Sequence, residues 1–310
     1  VVGLLVDRSA AMIVGLLALY CPPALFGGGQ SVLGIDYNNI HERRIRYAQE
    51  ALAANGGHLP AWYTRELMGS PFWSNIQSFP FLPTRLAVFW IDPAILFPVA
   101  VNLAAILAAF FTYLYLQKAG IGRIASAVGG WTFAASGFFA SRMLAGHLPL
   151  IEAFGALPLL LWCIESIARS PRGDPRLMLK HLGLAIASLC VVLCGHPQVP
   201  AYAMGTAVLY ALVRMWGRAG ARALLAMALG IGLSGFVWWP MLRLIGRSTR
   251  ILPLDPPGND LALPYWRLKA FLFPWADGWP PHVLRLPAQS FVDRNTAYFW
   301  DTVCYVGWIP

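Results

Sequence analysis

The chain has 310 residues, of which 58% are hydrophobic and 12% are charged, and its mean hydropathy is +0.58. About 25% of the residues of a typical soluble domain are charged, so this composition excludes an ordinary soluble domain and predicts a polytopic membrane protein. The net charge of +9 does not indicate nucleic-acid binding, because the basic residues collect in short connections between apolar stretches.

Apolar stretches of about 20 residues are needed to cross about 30 Å of hydrocarbon. In chain order, the stretches that approach this length are 9–26, 93–116, 124–143, 153–167, 177–195, 199–216 and 224–242. They predict an all-α fold with seven spans, in which the Pro-containing breaks GHLPLIE and GHPQVP separate the third span from the fourth and the fifth from the sixth. An eighth span would begin near Cys304. We therefore interpret residues 1–310 as a single transmembrane domain whose C-terminal part is truncated.

Short connections rich in Lys and Arg usually lie in the cytoplasm. Three connections fit this rule, and their basic residues are Lys118 and Arg123; Arg169, Arg172, Arg176 and Lys180; and Arg214, Arg218 and Arg222. Counting the spans places all three on the same side as Arg8. The rule thus predicts a cytoplasmic N-terminus, an external loop over 27–92 and a second external loop over 245–301, before the eighth span.

The first external loop contains two segments that suit the membrane surface. In the first segment, Asn39 followed by Glu42 resembles a capping box, and Ile45, Ala48 and Leu52 repeat at helical spacing. This pattern predicts an amphipathic helix on the outer surface. The second segment, residues 61–86, is rich in the Trp and Phe side chains that favour the lipid headgroup zone, and it predicts a second interfacial segment.

Polar residues that are costly near a membrane collect at the outer ends of the predicted spans. These residues are Asp36, Arg142, His147, Glu152, His196 and Gln198. The middle of the spans holds little beyond Asn102, so a charged path through the membrane is not indicated. The pattern predicts a site at the outer surface for a substrate that has a lipid tail and an anionic headgroup.

Individual roles follow from the chemistry of the side chains. The guanidinium groups of Arg43, Arg44 and Arg46 would bind a lipid phosphate. Asp36 would act as a general base that deprotonates an acceptor hydroxyl while the lipid phosphate leaves a sugar carbon. The remaining residues assigned to substrate binding are Asn75, Gln77, Arg142, His147, Glu152, His196 and Gln198.

Each of these residues could instead have a purely structural role. Asp36 precedes a helix and would then serve only as its cap, and the arginines of the loop would form a solvated face. The two histidines follow glycine and lie near proline, so they would anchor turns. Arg142 and Glu152 would form a structural ion pair, and Asn75 and Gln77 would fix a re-entrant loop.

Six motifs in chain order resemble those of the YfhO-type bacterial membrane proteins, which are similar to the GT-C class of integral-membrane glycosyltransferases. They are GIDYNN; HLPAWYTRELMGSPFWSNIQSFPFLPTRL; ASGFFASRMLAGHLPLIEAFGALPLLLW; CGHPQVPAY; FLFPWADGW; and YVGWIP. The resemblance implies a GT-C-like transmembrane helix bundle, with juxtamembrane helices in the first external loop. It also implies a bacterial cytoplasmic (inner) membrane protein whose active site faces the outside or periplasm.

The resemblance further implies a polyprenyl-phosphate-linked sugar donor and inverting transfer to a cell-envelope glycopolymer, glycolipid or protein. By position, the catalytic aspartate of such enzymes corresponds to Asp36. GT-C enzymes often carry a second acid close by, whereas here none follows until Glu42, so no clear motif supports a divalent cation. Two further functions stay open: a transporter or flippase of a lipid-linked sugar, and a non-enzymatic scaffold for envelope assembly.

Overall fold

The computed structural model of the chain describes residues 36–66, 68–75, 82, 90–247 and 273. Of these residues 75% are helical, which agrees with the predicted all-α class of membrane protein. The predicted span over 9–26 and the start of the eighth span lie outside the described residues. So does nearly all of the second external loop.

A short π-helical turn, Tyr37–His41, runs directly into the first α-helix of the described chain. The α-helices in the described residues are α1 (Glu42–Ala54), α2 (Pro93–Ala119), α3 (Arg123–Ala134), α4 (Gly137–Ala145), α5 (Leu148–Ala168), α6 (Leu177–Val192), α7 (Gln198–Arg214), α8 (Gly217–Leu233) and α9 (Gly235–Ile245). Between α1 and α2 lies a small antiparallel hairpin, β1 (Trp62–Tyr63) with β2 (Ser70–Pro71).

Two of these helices are long and apolar enough to cross a membrane, namely α2 with 27 residues and α5 with 21. Helices α8 and α9 make a third if they form one broken span. Helix α6 is apolar but has only 16 residues. Large apolar side chains such as Ile95, Leu103 and Leu229 are exposed on these helices, as expected of faces that contact lipid.

Two predicted spans are interrupted, which corrects the expectation of continuous helices over 124–143 and 224–242. The first is divided between α3 and α4 at Ser136, and the second is bent by 67° between α8 and α9 at Ser234. In both places a serine precedes a glycine, Gly137 or Gly235. Ser-Gly pairs are recurrent kink sites because glycine disfavours the helix and serine competes for its backbone. Hydropathy alone does not detect such a break.

The first loop also differs in part from its prediction. Helix α1 is present, but the helical path begins before Asn39, which lies inside the π-helical turn and therefore does not cap the helix. The second predicted juxtamembrane segment starts as the β1–β2 hairpin instead of a helix. Tyr63 and Phe72 of this hairpin pack with Ala48 of α1 in a small apolar cluster.

Helices α2 and α5 lie side by side and run parallel. At their N-terminal ends, Tyr37 donates to the carbonyl of Pro93, the first residue of α2, and Asp36 contacts His147, the residue that precedes α5. At the opposite ends, Arg169 donates to the carbonyl of Ala119 over 2.8 Å. Helix α5 also packs against α6 and α7, so it is the centre of the described bundle.

A buried carboxylate joins α5 to α7. Glu165 is fully buried and accepts two hydrogen bonds from Arg214, one from Tyr210 and one from Arg169. Its charge is therefore matched and its lone pairs are used. Asn102, the polar residue noted within a predicted span, bonds to the carbonyl of Pro98 in its own helix, which is a structural role.

Helices α6 and α8 approach closely because Gly230 has no side chain. A Cβ atom at this position would lie 2.2 Å from the carbonyl oxygen of Ala185 and 2.8 Å from the Cβ of Ser188. Small residues commonly permit such approach between membrane helices. The neighbouring Gly232 faces open space, because a Cβ atom there would meet nothing within 4 Å.

This difference gives a test of the helix packing. We expect Gly230→Ala to push α6 and α8 apart and to lower stability by about 1–3 kcal/mol, measured as thermal unfolding of the purified protein in detergent. The matched control Gly232→Ala should unfold at or above the wild-type temperature, since alanine favours the helix. Equal stability of the two variants would contradict the close contact.

Candidate functional site

The centre of the candidate site is a hydrogen bond between the first loop and α5. The Oδ2 atom of Asp36 lies 2.6 Å from Nε2 of His147, across 111 residues of sequence. The Asp36 side chain is 39% exposed, whereas that of His147 is 15% exposed. The pair thus combines a carboxylate open to solvent with an imidazole packed behind it.

Asp36 is held in place by the residue that follows it. Tyr37 is buried, packs its ring against Phe97 with ring centroids 4.2 Å apart, and donates through its hydroxyl to the Pro93 carbonyl over 2.5 Å. These contacts fix the start of the π-helical turn on the N-terminal end of α2. The carboxylate of Asp36 makes no capping bond to its own helix. The structure therefore does not support a role for Asp36 as a helix cap.

A tight turn places Arg142 next to His147. Gly146 ends α4 with a φ of 84°, a left-handed conformation that suits glycine. The backbone N–H groups of Gly146 and His147 both bond to the carbonyl of Arg142. The chain then enters α5 directly. As a result, Nη1 of Arg142 lies 3.1 Å from Nδ1 of His147.

These two contacts define the protonation of His147. A guanidinium group has only donors, so Nδ1 must accept from Arg142 and carries no proton. Nε2 then carries the proton and donates it to the Asp36 carboxylate. The imidazole is neutral in this arrangement, and the charges of Asp36 and Arg142 balance across it.

The arrangement limits which group can react. In a nucleophile–His–Asp triad the histidine keeps one nitrogen available as a base for the nucleophile. Here both ring nitrogens of His147 are engaged, one by Asp36 and one by Arg142. The second carboxylate oxygen of Asp36, Oδ1, has no hydrogen-bond partner among the described residues. Asp36, and not His147, is therefore the group that is available to accept a proton.

The surroundings favour an anion next to the carboxylate. His147 is the N-cap of α5 and Asp92 that of α2, so the N-terminal ends of two parallel helices meet at this side of the bundle. Each helix N-terminus carries a partial positive charge. Arg142 is buried and also lies over the ring of Phe138 at 5.3 Å.

Of the three arginines that were predicted to bind a lipid phosphate, two have acidic partners. Arg44 is buried and donates twice to Glu66, at 2.6 and 3.1 Å. Arg46 pairs with Glu42 and with Asp92, and the bond to Glu42 raises the pKa of the guanidinium. Arg43 is exposed and pairs with no acid among the described residues. Of the three, Arg43 is thus the one whose guanidinium is exposed and has no acidic partner in the part of the chain that the structure describes.

The remaining predicted residues lie in different settings. Glu152 is buried in α5 shortly after His147. His196 accepts from the backbone N–H of Gln198, whose side chain donates to Tyr202. His196 lines a separate apolar cavity of about 340 Å³. Asn75 is half-buried, and Gln77 lies outside the described residues.

No group of three His, Cys, Asp or Glu side chains suited to a metal ion is present in the described part of the chain.

Comparison of the whole sequence and structure with models of protein families, with curated proteins and with solved structures finds no match. The function is therefore inferred from the geometry of Asp36, His147 and Arg142.

The state of the imidazole can be tested without a substrate. With ¹⁵N-labelled histidine in detergent at neutral pH, we expect the His147 resonances to show a neutral ring that is protonated at Nε2 and bare at Nδ1. The chain has six histidines, so the His147→Gln variant is needed to assign the signals. An imidazolium, or a ring protonated at Nδ1, would contradict the hydrogen bonds described above.

Proposed function

We propose that the chain is a membrane glycosyltransferase that moves a sugar from a polyprenyl-phosphate donor to a hydroxyl of a cell-envelope acceptor. The observation that supports this most is the exposed Asp36 carboxylate, held by His147 at one end of the α2–α5 pair. A general base in this position can act on a substrate whose lipid tail remains in the bilayer. The resemblance of six sequence motifs to YfhO-type proteins, described above, is consistent with this function and with a GT-C-like bundle.

The proposed reaction is a single displacement. Oδ1 of Asp36 takes the proton of the acceptor hydroxyl, and the acceptor oxygen attacks the anomeric carbon of the sugar. The bond between that carbon and the phosphate oxygen breaks, and the electron pair leaves with the polyprenyl phosphate. Attack opposite to the leaving group inverts the anomeric configuration. Because phosphate is a good leaving group, a second carboxylate acting as an acid is not required.

His147 and Arg142 are positioning residues in this scheme. The Nε2–H of His147 fixes Oδ2, while Oδ1 has no hydrogen-bond partner in the part of the chain that the structure describes. Arg142 donates to Nδ1 of His147 and so fixes the tautomer of the imidazole. Its positive charge and the N-terminal end of α5 favour the anionic donor, and Arg43 is the proposed contact for the phosphate.

The proposed orientation follows the positive-inside rule. The basic connections from Lys118 to Arg123 and from Arg169 to Lys180 lie at the C-terminal ends of α2 and α5. Asp36 and His147 lie at the N-terminal ends of the same helices. If the basic end is cytoplasmic, the site faces the outside or periplasm of a bacterial cytoplasmic membrane.

One observation favours a second candidate, the transporter or flippase of a lipid-linked sugar. Broken helices within the membrane are typical of transporters, and two of the predicted spans are broken, at Ser136 and at Ser234. The two candidates differ in covalent chemistry. Movement of a labelled polyprenyl-phosphate sugar between liposome leaflets, without transfer to an acceptor, would favour the transporter.

Replacement of the proposed base is the most direct test of the enzyme. We expect Asp36→Asn to reduce sugar transfer by about 10²–10⁴-fold, because the amide cannot accept the proton. The measurement uses purified protein, radiolabelled polyprenyl-phosphate hexoses and an envelope extract. Asp92→Asn is a matched control, since Asn also caps α2 and Asp92 belongs to the same loop. Full activity of Asp36→Asn would refute the assignment.

The role of His147 requires a different measurement. Glutamine can donate to Asp36 and accept from Arg142, whereas leucine can do neither. We expect His147→Gln to retain most of the transfer rate and His147→Leu to lose about tenfold or more in kcat, with KM for the donor less affected. If both variants lose the same activity, or if only KM changes, His147 does not position the base.

A further inference from the structure

A large cavity lies at the end of the α2–α5 pair that is opposite to Asp36. Its volume is about 1170 Å³, and its walls come from the C-terminal parts of α2 and α5, the start of α6 and the connection between α5 and α6. Small-molecule pockets are usually about 300–1,000 Å³. This cavity is therefore large enough for a ligand with long chains. It shares no lining residue with the site around Asp36.

The interior wall of the cavity is apolar and aromatic. Phe110, Phe111 and Leu114 contribute from α2, and Trp162 contributes from α5. The rings of Phe111 and Trp162 lie 6.0 Å apart. None of these side chains is fully buried, so the wall offers free apolar surface that a hydrocarbon chain can contact.

The rim of the cavity is basic. Lys118, Arg176 and Lys180 line it together with Asp174. Lys180 donates to Asp174 over 2.7 Å, and this bond lowers the pKa of Asp174 to about 2. Asp174 is thus ionised at neutral pH and its charge is balanced by Lys180. Lys118 and Arg176 pair with no acid among the described residues, so two positive charges remain.

We propose that this cavity binds one anionic phospholipid, with its phosphate on the rim formed by Lys118 and Arg176 and an acyl chain along the aromatic wall. An anionic lipid fits both parts of the cavity, because a soluble anion would make no contact with the apolar wall and a neutral lipid would leave the charges of Lys118 and Arg176 unmatched. Basic pockets between membrane helices on the cytoplasmic side recurrently bind anionic headgroups. The positive-inside rule assigns this end to the cytoplasm.

Two substitutions test the two halves of the proposal. Arg176→Gln removes a charge from the rim, and Arg218→Gln is the control because Arg218 is an exposed arginine that does not line this cavity. Gly183 lines the cavity, and a Cβ atom there would meet nothing within 4 Å. Gly183→Leu therefore places a side chain in the proposed path of the acyl chain. Gly205→Leu is its control, at a helical glycine that also faces open space.

The experiment counts lipids bound to the delipidated full chain by native mass spectrometry, with phosphatidylglycerol and phosphatidylcholine as probes. We expect the first phosphatidylglycerol to bind more tightly than the first phosphatidylcholine. Arg176→Gln should weaken this binding about fivefold, which corresponds to about 1 kcal/mol per basic side chain. Gly183→Leu should remove the tight phase, and both controls should bind as wild type does.

Three outcomes would overturn the proposal. The first is equal affinity of the wild type for the two lipids. The second is wild-type binding by both Arg176→Gln and Gly183→Leu. The third is the absence of any tight phase in the wild type, as would occur if another segment of the chain fills the cavity. Thermal unfolding of each variant is measured alongside, so that loss of binding is attributed to the site only where the protein remains folded.

Discussion

The hydrogen bond between Asp36 and His147 is the interaction on which the proposed function depends. It joins the first loop to α5 across 111 residues, so its geometry requires both partners to be fixed independently. Tyr37 fixes the loop through its burial and its bond to Pro93. The glycine turn before His147 fixes the imidazole. Each partner is held by its own contacts, so the position of the Asp36 carboxylate is fixed before a substrate binds. A general base needs this preorganisation.

The carboxylates at the two ends of the α2–α5 pair differ in burial and in the number of hydrogen bonds that they accept. Glu165 accepts four hydrogen bonds, two of them from Arg214, and is fully buried. Asp36 accepts one from His147 and is partly exposed. A carboxylate with all of its lone pairs used is a structural element, since any new partner must displace an existing one. A carboxylate with a free oxygen at the protein surface is chemically available, and this contrast is why the reactive role is assigned to Asp36.

Sequence reasoning succeeded where the signal was local. Long apolar runs predicted α2 and α5, and the helical spacing of Ile45 and Ala48 predicted α1. It failed at the two Ser-Gly breaks, because a hydropathy window averages over them, although the dipeptides themselves were visible. Asp36, Arg142 and His147 were predicted at one level, but their bonds depend on long-range packing that no spacing encodes. The same limit explains why the pairing of Arg44 with Glu66 and of Glu165 with Arg214 was not foreseen.

The charge balance of the site determines what else the reaction needs. The Asp36 carboxylate, the neutral His147 ring and the Arg142 guanidinium together carry no net charge. In the proposed reaction the leaving phosphate gains negative charge while Asp36 loses its charge on taking the proton, so the net charge of these three groups becomes positive. The site thus becomes more attractive to the phosphate as the reaction proceeds, which is stabilisation of the transition state rather than of the bound donor. Arg43, exposed on α1, is suited to complete this field from the loop side.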